Sequence, residues 1–270
     1  MCTKPELYEL DLTDVEVAAV DLETYDPDLK TKGSGAITKN GFVVGIAIAT
    51  HKQTLYFPIR HLGKNQNGDP KQTWRVLNKK LFQNEKIKKV FHNAMYDVCW
   101  IRSETGLMPK GVLLDTMVAA SLIDENRLRY TLDSLSKDYL KDKSEKAPYF
   151  ITDPMSHMHE LPYEMVKEYA EQDVNLTLRL WNLFYKMIHQ PRTVSYQGKT
   201  TSKTLANIFE LETNLFPCLV EMRFKGVRVD IAKAKIIGAK LKKRADNLIK
   251  LIKERTGIKI EIWASASIKK

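Results

Sequence analysis

The stretch of residues 17–24, VAAVDLET, constrains the fold of this chain more than any other. An apolar run ends in two carboxylates, Asp21 and Glu23, with one residue between them. Because residues i and i+2 of a β-strand point to the same face, both carboxylates should project together from a strand end. Like charges held that close are costly to bury unless a cation lies between them, and hard divalent cations prefer oxygen ligands. The motif therefore predicts a metal-binding strand end, and by itself leaves a solvated strand end open as the alternative.

The composition is that of an ordinary water-soluble globular protein, with 43% hydrophobic and 28% charged residues among 270. That length suffices for one large domain or two smaller ones. No apolar run approaches membrane-spanning length, and the first residues lack the basic-then-apolar layout of a signal peptide. The three cysteines, Cys2, Cys99 and Cys218, have no metal-type spacing. These features predict a cytoplasmic protein without a membrane partner.

The net charge of +10 comes entirely from the C-terminal part of the chain. Residues 196–270 hold 17 Lys and Arg against 7 Asp and Glu, whereas residues 1–195 hold 26 of each. We therefore predict two functionally different domains, 1–195 and 196–270, the second of which is basic and suited to a polyanionic partner. A solubilising, lysine-rich helix face is the alternative that composition leaves open.

Five apolar segments predict the strands of a mixed sheet with an antiparallel edge. They are residues 17–21, 42–49, 54–57, 87–91 and 112–115. A loop with turn chemistry is expected over 26–40, and a polar helix over 72–83.

The segment HNAMYD, residues 92–97, directly follows a predicted strand and precedes a helical pattern. Asp97 should therefore lie in the first turns of a helix, and the i, i+4 spacing places Asn93 on its face. Stabilisation of the Asp97 carboxylate by the helix N-terminus is the alternative to a metal ligand. Asp115 ends the strand predicted over 112–115, and we favour a helix N-cap over a metal ligand for it.

A long helix is predicted from Pro162 to about Ile188, with proline at its first position. Tyr169 and Asp173 are spaced i, i+4 and share a face that continues as an apolar stripe. An aspartate on such a face is costly unless it binds a metal or accepts hydrogen bonds, from Tyr169 or a loop amide for example. The preceding segment, 141–161, is expected to be an irregular loop, and its two histidines, His157 and His159, to be loop residues.

The last part of the chain reads as a polar linker followed by two helices. The linker covers 191–204, and the helices cover 205–224, where Pro217 should cause a kink, and 231–255. Apolar stripes on these helices have no evident partner in the sequence, so we expect self-association or local disorder there.

Taken together, Asp21, Glu23, Asp97 and Asp173 form a set of four carboxylates that would converge at one strand end. Such a set suits two divalent cations about 3.5–4 Å apart, the arrangement used for phosphodiester hydrolysis. One ion activates water and the second stabilises the departing 3′ oxygen. The chemistry requires positioning and charge neutralisation more than a covalent nucleophile.

Three motifs in this order carry a family resemblance: VDLET, HNAMYD and YAEQD. They resemble the motifs of the proofreading 3′→5′ exonuclease domain of family A, DNA polymerase I-like, polymerases. The form Tyr-x-x-x-Asp, Tyr169 to Asp173, is that of the tyrosine-type four-carboxylate exonucleases. Residues 209–230 are similar to the segment that begins the polymerase region of the same family, and residues 24–37 resemble phage-encoded members.

The resemblance implies an α/β protein with the ribonuclease H-like exonuclease fold, a mixed five-stranded sheet flanked by helices. A helical segment resembling the start of the polymerase thumb would follow. Carried over by motif, three carboxylates would hold the tighter of two Mg²⁺ or Mn²⁺ ions and Asp97 would support the second through water. Two groups would orient the attacking water, and three others would line the strand-binding cleft. The three carboxylates are Asp21, Glu23 and Asp173; the orienting groups are Tyr169 and Glu23; the cleft residues are Thr24, Asn93 and Tyr96.

The implied activity is metal-dependent 3′→5′ exodeoxyribonuclease action on single-stranded or frayed DNA ends, releasing nucleoside monophosphates. The implied partners are DNA and the palm, fingers and thumb of a polymerase, in the host cytoplasm if the gene is phage-encoded. Because the sequence stops before the palm and fingers segments, we expect no DNA synthesis from this chain alone. Two alternatives remain: an RNA-trimming 3′→5′ exonuclease, and a catalytically silent domain that binds nucleic acid or acts as a scaffold.

Overall fold

A computed structural model describes residues 7–62, 67–142, 154–197 and 199–261. Its central feature is a five-stranded sheet in the order β3-β2-β1-β4-β5. The β1–β2 and β2–β3 pairs are antiparallel, and the β1–β4 and β4–β5 pairs are parallel. The predicted mixed sheet with an antiparallel edge is therefore confirmed. Its strands are β1 (Val17–Tyr25), β2 (Phe42–Ala49), β3 (Thr54–Pro58), β4 (Lys88–Phe91) and β5 (Leu113–Asp115).

Strand β1 continues four residues further than predicted, to Tyr25. Its pairing with β4 ends at Ala19, so the carboxyl-terminal part of β1 extends past its parallel neighbour. Its pairing with β2 shifts register after Glu23, where the partners of successive β1 residues skip Val44. A bulge of this kind increases the local twist and redirects side chains, here immediately beside the VDLET motif.

The longer helices lie in the segments where the sequence predicted helices, with local differences at their ends. The polar helix expected over 72–83 begins at Pro70 because the Asp69 side chain accepts a hydrogen bond from the backbone N–H of Gln72 at 2.6 Å. The helices are α1 (Leu29–Lys32), α2 (Gly35–Thr38), α3 (Pro70–Leu77), α4 (Ala94–Thr105), α5 (Thr116–Ile123), α6 (Leu132–Leu135), α7 (Pro154–His157), α8 (Tyr163–His189), α9 (Ala206–Lys225) and α10 (Ile231–Thr256). Single π-helical turns, Asn78–Phe82 and Ser136–Leu140, follow α3 and α6, and a 3₁₀ turn, Met158–Glu160, follows α7.

The long helix α8 packs on one face of the sheet, against β1, β2 and β3. Small buried residues of the sheet, Ala19, Ala47 and Ala49, permit a close approach and join one hydrophobic cluster with α8. The opposite face of the sheet carries a second cluster, built around α3 and α4. Helix α8 begins at Tyr163, one residue later than predicted, and Pro162 is its N-cap and not its first helical residue.

Three expected loops contain more structure than the sequence suggested. The loop over 26–40 includes α1 and α2. The predicted polar linker over 191–204 forms a hairpin instead, with strands β6 (Arg192–Tyr196) and β7 (Lys199–Lys203). Its threonine-rich composition favours strands even though the segment is polar. Within the loop expected over 141–161, residues 143–153 lie outside the described residues and 154–160 form helical turns.

The chain separates into two compact units, residues 1–224 and 225–270. Within the first unit, α9 packs against α8, where the ring centres of Phe209 and Trp181 lie 5.5 Å apart. The second contains α10, which Asp230 caps through the backbone N–H of Lys233. A functional boundary after residue 195 stays a prediction. Within the described ranges, no helix is long and apolar enough to cross a membrane.

Candidate active site

The two carboxylates of VDLET lie on the part of β1 that extends past β4. In the pairing of β1 with β2, Asp21 lies opposite Ala47 and Glu23 lies opposite Gly45. Asp21 is partly buried, whereas only 6% of Glu23 is exposed. Small cross-strand partners leave room above this stretch for other side chains. The strand therefore presents a pair of neighbouring carboxylates, as the i, i+2 spacing predicted.

Asp97 joins this pair from the first turn of α4. Its Oδ1 accepts a hydrogen bond of 3.0 Å from the backbone N–H of Leu22, the residue between the two β1 carboxylates. The bond forms where β4 no longer pairs with β1, so a side chain takes the place of a neighbouring strand. The sequence predicted Asp97 near a helix start, and the structure adds the partner that fixes it against β1.

Tyr169 and Asp173 approach the same carboxylates from α8. The Tyr169 hydroxyl hydrogen-bonds to Asp173, one of the partners that the sequence left open. Asp173 is buried, and its Oδ1 has no hydrogen-bond partner within the described part of the chain. A buried carboxylate oxygen without a partner is costly, so Asp173 can accept another donor or a cation.

The electrostatics of the four carboxyl groups show that they belong to one cluster. Burial raises the pKa of Asp21 to about 6, and burial together with the Asp21 charge raises the pKa of Asp173 to about 8. Burial, and then the charges of the other three carboxyls, raises the pKa of Glu23 well above its usual range. The pKa of Asp97 is raised by burial and by Asp21. Like charges that oppose one another's ionisation are favourable sites for a cation.

The metal ligation predicted from the sequence is not preassembled. Within the described ranges, no three or more His, Cys, Asp or Glu side chains already stand in an arrangement that could hold a metal ion. The donor set nevertheless suits a hard cation, because it consists of carboxylates with raised pKa values and one oxygen of Asp173 without a partner. Ion binding would require these side chains to turn towards a common point.

Asp115 lies beside the cluster but has a structural role. Its carboxylate accepts hydrogen bonds from the backbone N–H groups of Met117, Ala94 and Asn93, at 2.8, 2.8 and 3.1 Å. The N-cap interpretation is therefore confirmed, and the same side chain also holds the start of α4. Asn93 is exposed and adopts a left-handed backbone conformation with φ of 69°.

The predicted cleft residues Thr24 and Tyr96 are joined to each other and to a residue that sequence reasoning missed. The two hydroxyl oxygens lie 2.6 Å apart, and the Tyr96 hydroxyl donates to Oδ2 of Asp26 at 3.1 Å. Asp26 is fully buried. It stands in the segment that we predicted as an ordinary loop, and no spacing in the sequence indicated its contact with Tyr96, 70 positions away.

A second missed residue is Tyr56 of β3, which is fully buried beside the carboxylates. A Cβ at Gly45 would lie 2.0 Å from the Tyr56 hydroxyl oxygen, so only glycine fits opposite Glu23. The Tyr56 hydroxyl lies 2.8 Å from Nε2 of His61. Burial, Glu23 and Asp21 all raise the pKa of Tyr56, whose hydroxyl lies over Gly45, the cross-strand partner of Glu23.

The two histidines that we predicted as loop residues lie in helical turns instead, His157 at the end of α7 and His159 in the 3₁₀ turn that follows it. Nδ1 of His157 lies 3.2 Å from Oε2 of Glu160. The His159 ring packs edge-on against Tyr25, with ring centres 4.5 Å apart.

Comparison with known proteins identifies the family. The sequence profile described as 3′–5′ exonuclease, from family A DNA polymerases, matches residues 2–189. This chain belongs to that family. All four carboxylates and Tyr169 lie within the matched region.

Among curated relatives, this exonuclease chain is 29% identical over 198 residues to the DNA polymerase DpoZ of Acinetobacter phage SH-Ab 15497. That match covers 68% of the chain and 30% of the phage protein. It is 27% identical over 260 residues to a DNA-directed DNA polymerase of Pseudomonas phage M6, covering 91% of the chain and 37% of the relative. The chain thus spans about a third of the length of these relatives.

Solved structures support the ribonuclease H-like exonuclease fold. Brucella melitensis NrnC with bound Mg²⁺ superposes with a TM-score of 0.57 at 19% identity, covering 82% of this chain and 92% of that one. The Trypanosoma brucei RNase D–GMP complex superposes with a TM-score of 0.58 at 18% identity, covering 83% and 63%. At these identities the likeness concerns the fold alone.

Proposed function

We propose that this exonuclease domain hydrolyses single-stranded or frayed DNA from its 3′ end and releases nucleoside monophosphates with the help of two divalent cations. The observation that carries the proposal is the meeting of Asp21, Glu23, Asp97 and Asp173 at one strand end. Burial raises the pKa of all four, and neighbouring carboxylates raise the pKa of Glu23, Asp97 and Asp173 further. Such a cluster has no evident structural purpose, because buried like charges oppose folding. Its purpose is instead to hold cations against a phosphodiester.

The carboxylates have distinct positions in this proposal. Asp21, Glu23 and Asp173 would hold the tighter ion, and Asp97 would support the second one through water. Bound Mg²⁺ or Mn²⁺ ions lower the pKa of water and neutralise charge that develops on the phosphate and the leaving 3′ oxygen. The hydrogen bond from Leu22 to Asp97 keeps the α4 carboxylate against β1 before a cation is bound.

Tyr169 acts by position and not as a general base. Burial, Glu23 and then Asp173 and Asp21 raise the pKa of its hydroxyl well above the usual range, so the phenol keeps its proton at neutral pH. A protonated phenol next to Asp173 can donate one hydrogen bond and accept another. We infer that Tyr169 and Glu23 together orient the attacking water. Catalysis of phosphoryl transfer depends mainly on such positioning and on electrostatic stabilisation.

DNA is favoured over RNA as the substrate because both curated relatives above are DNA polymerases. RNA trimming is the second candidate, since the fold is also that of RNase D. The basic second unit suits contact with a nucleic-acid backbone, and the palm, fingers and thumb of a polymerase are the proposed protein partners, in the host cytoplasm if the gene is phage-encoded.

The deciding experiment is digestion of a 5′-labelled single-stranded DNA oligonucleotide with Mg²⁺ or Mn²⁺. We expect a ladder that shortens from the 3′ end and disappears with a chelator or in Asp21→Ala and Asp173→Asn. Glu168→Gln is the matched control, because Glu168 is an exposed carboxylate on the same helix as Asp173 and should leave the ladder intact.

An RNA oligonucleotide of the same sequence separates the two nuclease candidates. Faster digestion of RNA than of DNA would favour an RNA-trimming exonuclease over a DNA exonuclease. A folded protein that digests neither strand in either metal, and whose melting temperature does not rise with Mg²⁺ or Mn²⁺, would support the silent-domain alternative. Divalent ions that bind the native state should raise that temperature.

A further inference from the structure

We propose that Glu171 is a positioning residue that fixes helix α8 on the sheet, and with it the place of Tyr169 and Asp173 relative to the carboxylates of β1. The inference rests on the function proposed above and deepens it. It starts from a third polar side chain on this part of α8, a carboxylate to which the proposed hydrolysis gives no part. The hydrogen-bond partners of that carboxylate indicate what it does.

Glu171 joins α8 to the strand β3. Its Oε1 accepts a hydrogen bond of 3.1 Å from the backbone N–H of Tyr56. Strand β3 lies at the edge of the five-stranded sheet, where a backbone N–H that points away from the neighbouring strand needs another acceptor. The side chain from α8 supplies it, so a residue 115 positions away in the chain holds the helix to the strand.

Tyr56 also contacts the start of α8. Its hydroxyl lies 2.8 Å from Nε2 of His61, and Nδ1 of His61 lies 3.0 Å from the carbonyl oxygen of Leu161. Because a carbonyl can only accept, Nδ1 carries the proton, and Nε2 of the neutral ring accepts from the Tyr56 hydroxyl. Burial lowers the pKa of His61, which keeps the ring neutral at pH 7. The ring of Tyr163, the first residue of α8, stacks on Tyr56 with ring centres 6.0 Å apart.

These contacts fix both the direction and the rotation of α8. Tyr163 and Glu171 are separated by about 12 Å along the helix, and attachment at two such points sets the direction of its axis. Residues two apart on an α-helix point about 160° apart around the axis, so Glu171 lies on the other side of α8 from Tyr169 and Asp173. A rotation of α8 that displaced Asp173 would therefore break the bond to Tyr56.

The second partner of Glu171 cannot have this effect. Its Oε2 accepts a hydrogen bond of 2.8 Å from Nζ of Lys167, one turn earlier in the same helix. An i, i+4 pair within one helix does not attach that helix to the sheet, and ion pairs that are partly exposed contribute little to stability. The bond to the Tyr56 N–H is therefore the contact that positions α8.

The test compares two variants that separate the length of the side chain from its charge. Glu171→Gln keeps an oxygen within reach of the Tyr56 N–H, whereas Glu171→Asp keeps the charge but is one methylene shorter. We expect Glu171→Gln to retain kcat for single-stranded DNA within about threefold of wild type, and Glu171→Asp and Glu171→Ala to lose about 10- to 100-fold, with KM within about twofold. Full activity in all three variants, or the opposite order of Gln and Asp, would overturn the proposal.

Two further measurements report on position without turnover. Hydrogen exchange of the Tyr56 amide, followed by NMR, should be slow in wild type and Glu171→Gln and at least about tenfold faster in Glu171→Asp. The Kd for Mn²⁺, measured by calorimetry, should weaken about tenfold in Glu171→Asp, because the proposed ligands come from both α8 and β1. An Mn²⁺ Kd equal to that of wild type in Glu171→Asp and Glu171→Ala would refute the positioning role.

Two control variants exclude other causes. Lys167→Met removes the ion pair and should leave kcat and the Mn²⁺ Kd within about twofold of wild type. Lys89→Met should lower the melting temperature without a change at Glu171, because Lys89 bonds to the carbonyl oxygens of Asn84 and Lys110. If Glu171 were merely structural, Glu171→Ala would behave like Lys89→Met, with a lower melting temperature and normal kcat below it. If Glu171→Ala does not fold, Glu171→Asp provides the same comparison.

The positioning role and the proposed function fail in different ways. If wild type cleaves DNA and the Glu171 variants cleave it equally well, only the positioning role fails. If wild type binds Mn²⁺ but does not cleave, the exonuclease proposal fails, and the Mn²⁺ Kd of Glu171→Asp still decides the positioning role. If wild type neither cleaves DNA nor binds Mn²⁺, both proposals are refuted.

Discussion

Oδ1 of Asp97 accepts a hydrogen bond from the backbone N–H of Leu22, between the two carboxylates of β1, at 3.0 Å. This one contact holds together two motifs that are 75 positions apart in the chain. It also gives Asp97 a structural role in addition to the proposed metal role, and mutation can separate the two.

Asp97→Asn retains an oxygen that can accept from Leu22 but removes the charge. We expect the free energy of unfolding of this variant to lie within about 1 kcal/mol of the wild-type value, and its kcat to fall about 10- to 100-fold. Asp97→Ala should lose the same activity and, in addition, about 1–3 kcal/mol of stability because the Leu22 N–H is left without its acceptor. Urea unfolding and single-strand digestion measure the two effects. Full activity in Asp97→Asn would show that the charge is not required.

Tyr169→Phe removes the hydroxyl that bonds to Asp173 and keeps the ring. If the hydroxyl positions water, kcat should fall by up to about 100-fold while KM stays within about twofold. Because the pKa of Tyr169 is raised well above its usual range, the pH profile of the residual activity should keep its shape. If the pH–rate profile of Tyr169→Phe instead lost its acidic or alkaline limb, the phenol would be transferring a proton.

Lys89 is fully buried in β4, and its Nζ lies 2.6 Å from the carbonyl oxygens of both Asn84 and Lys110. Lys89→Met should leave those carbonyls unpaired and reduce the free energy of unfolding by about 1–3 kcal/mol. Lys88→Met is the matched control, because Lys88 is the exposed neighbour on the same strand and should change stability by less than about 0.5 kcal/mol.

The same lysine predicts a pH dependence. Burial lowers the pKa of Lys89 from 10.5 to about 8, so above that pH the unfolded chain binds more protons than the folded one. Stability contributed by Lys89 should therefore rise as the pH increases from about 8 towards 10.5. Denaturation of wild type and Lys89→Met across this interval measures it. A constant difference between the two proteins would contradict the lowered pKa.

The last helices carry the exposed apolar residues that the sequence led us to expect. On α9, Leu211 and Met222 are 64% and 61% exposed, and on α10 Leu241 is 59% exposed. We expect concentration-dependent self-association in sedimentation velocity, weakened by Leu211→Glu and unaffected by Glu210→Gln, its exposed neighbour. A monomer with full hydrogen-exchange protection of both helices would refute this expectation and its alternative, local disorder.

The sequence by itself determined the order and type of the main elements. Strand β2 was predicted at its observed bounds, and the i, i+2 spacing of Asp21 and Glu23 led correctly to a shared strand end. These predictions succeeded because apolar periodicity and capping act over a few residues. The polar hairpin β6–β7 was missed because strand pairing there depends on backbone bonds and not on an apolar face.

Only the tertiary structure decided which side chains meet. Asp26 and Tyr56 have ordinary neighbours in the sequence, yet one bonds to Tyr96 and the other lies over Gly45 beside Glu23. Likewise, Asp115 and Asp97 both stand near helix starts, and their different roles follow from whether backbone N–H groups or carboxylates surround them. Local pattern sets the direction in which each side chain leaves its own element. Packing of distant elements sets its partners, its burial and therefore its pKa.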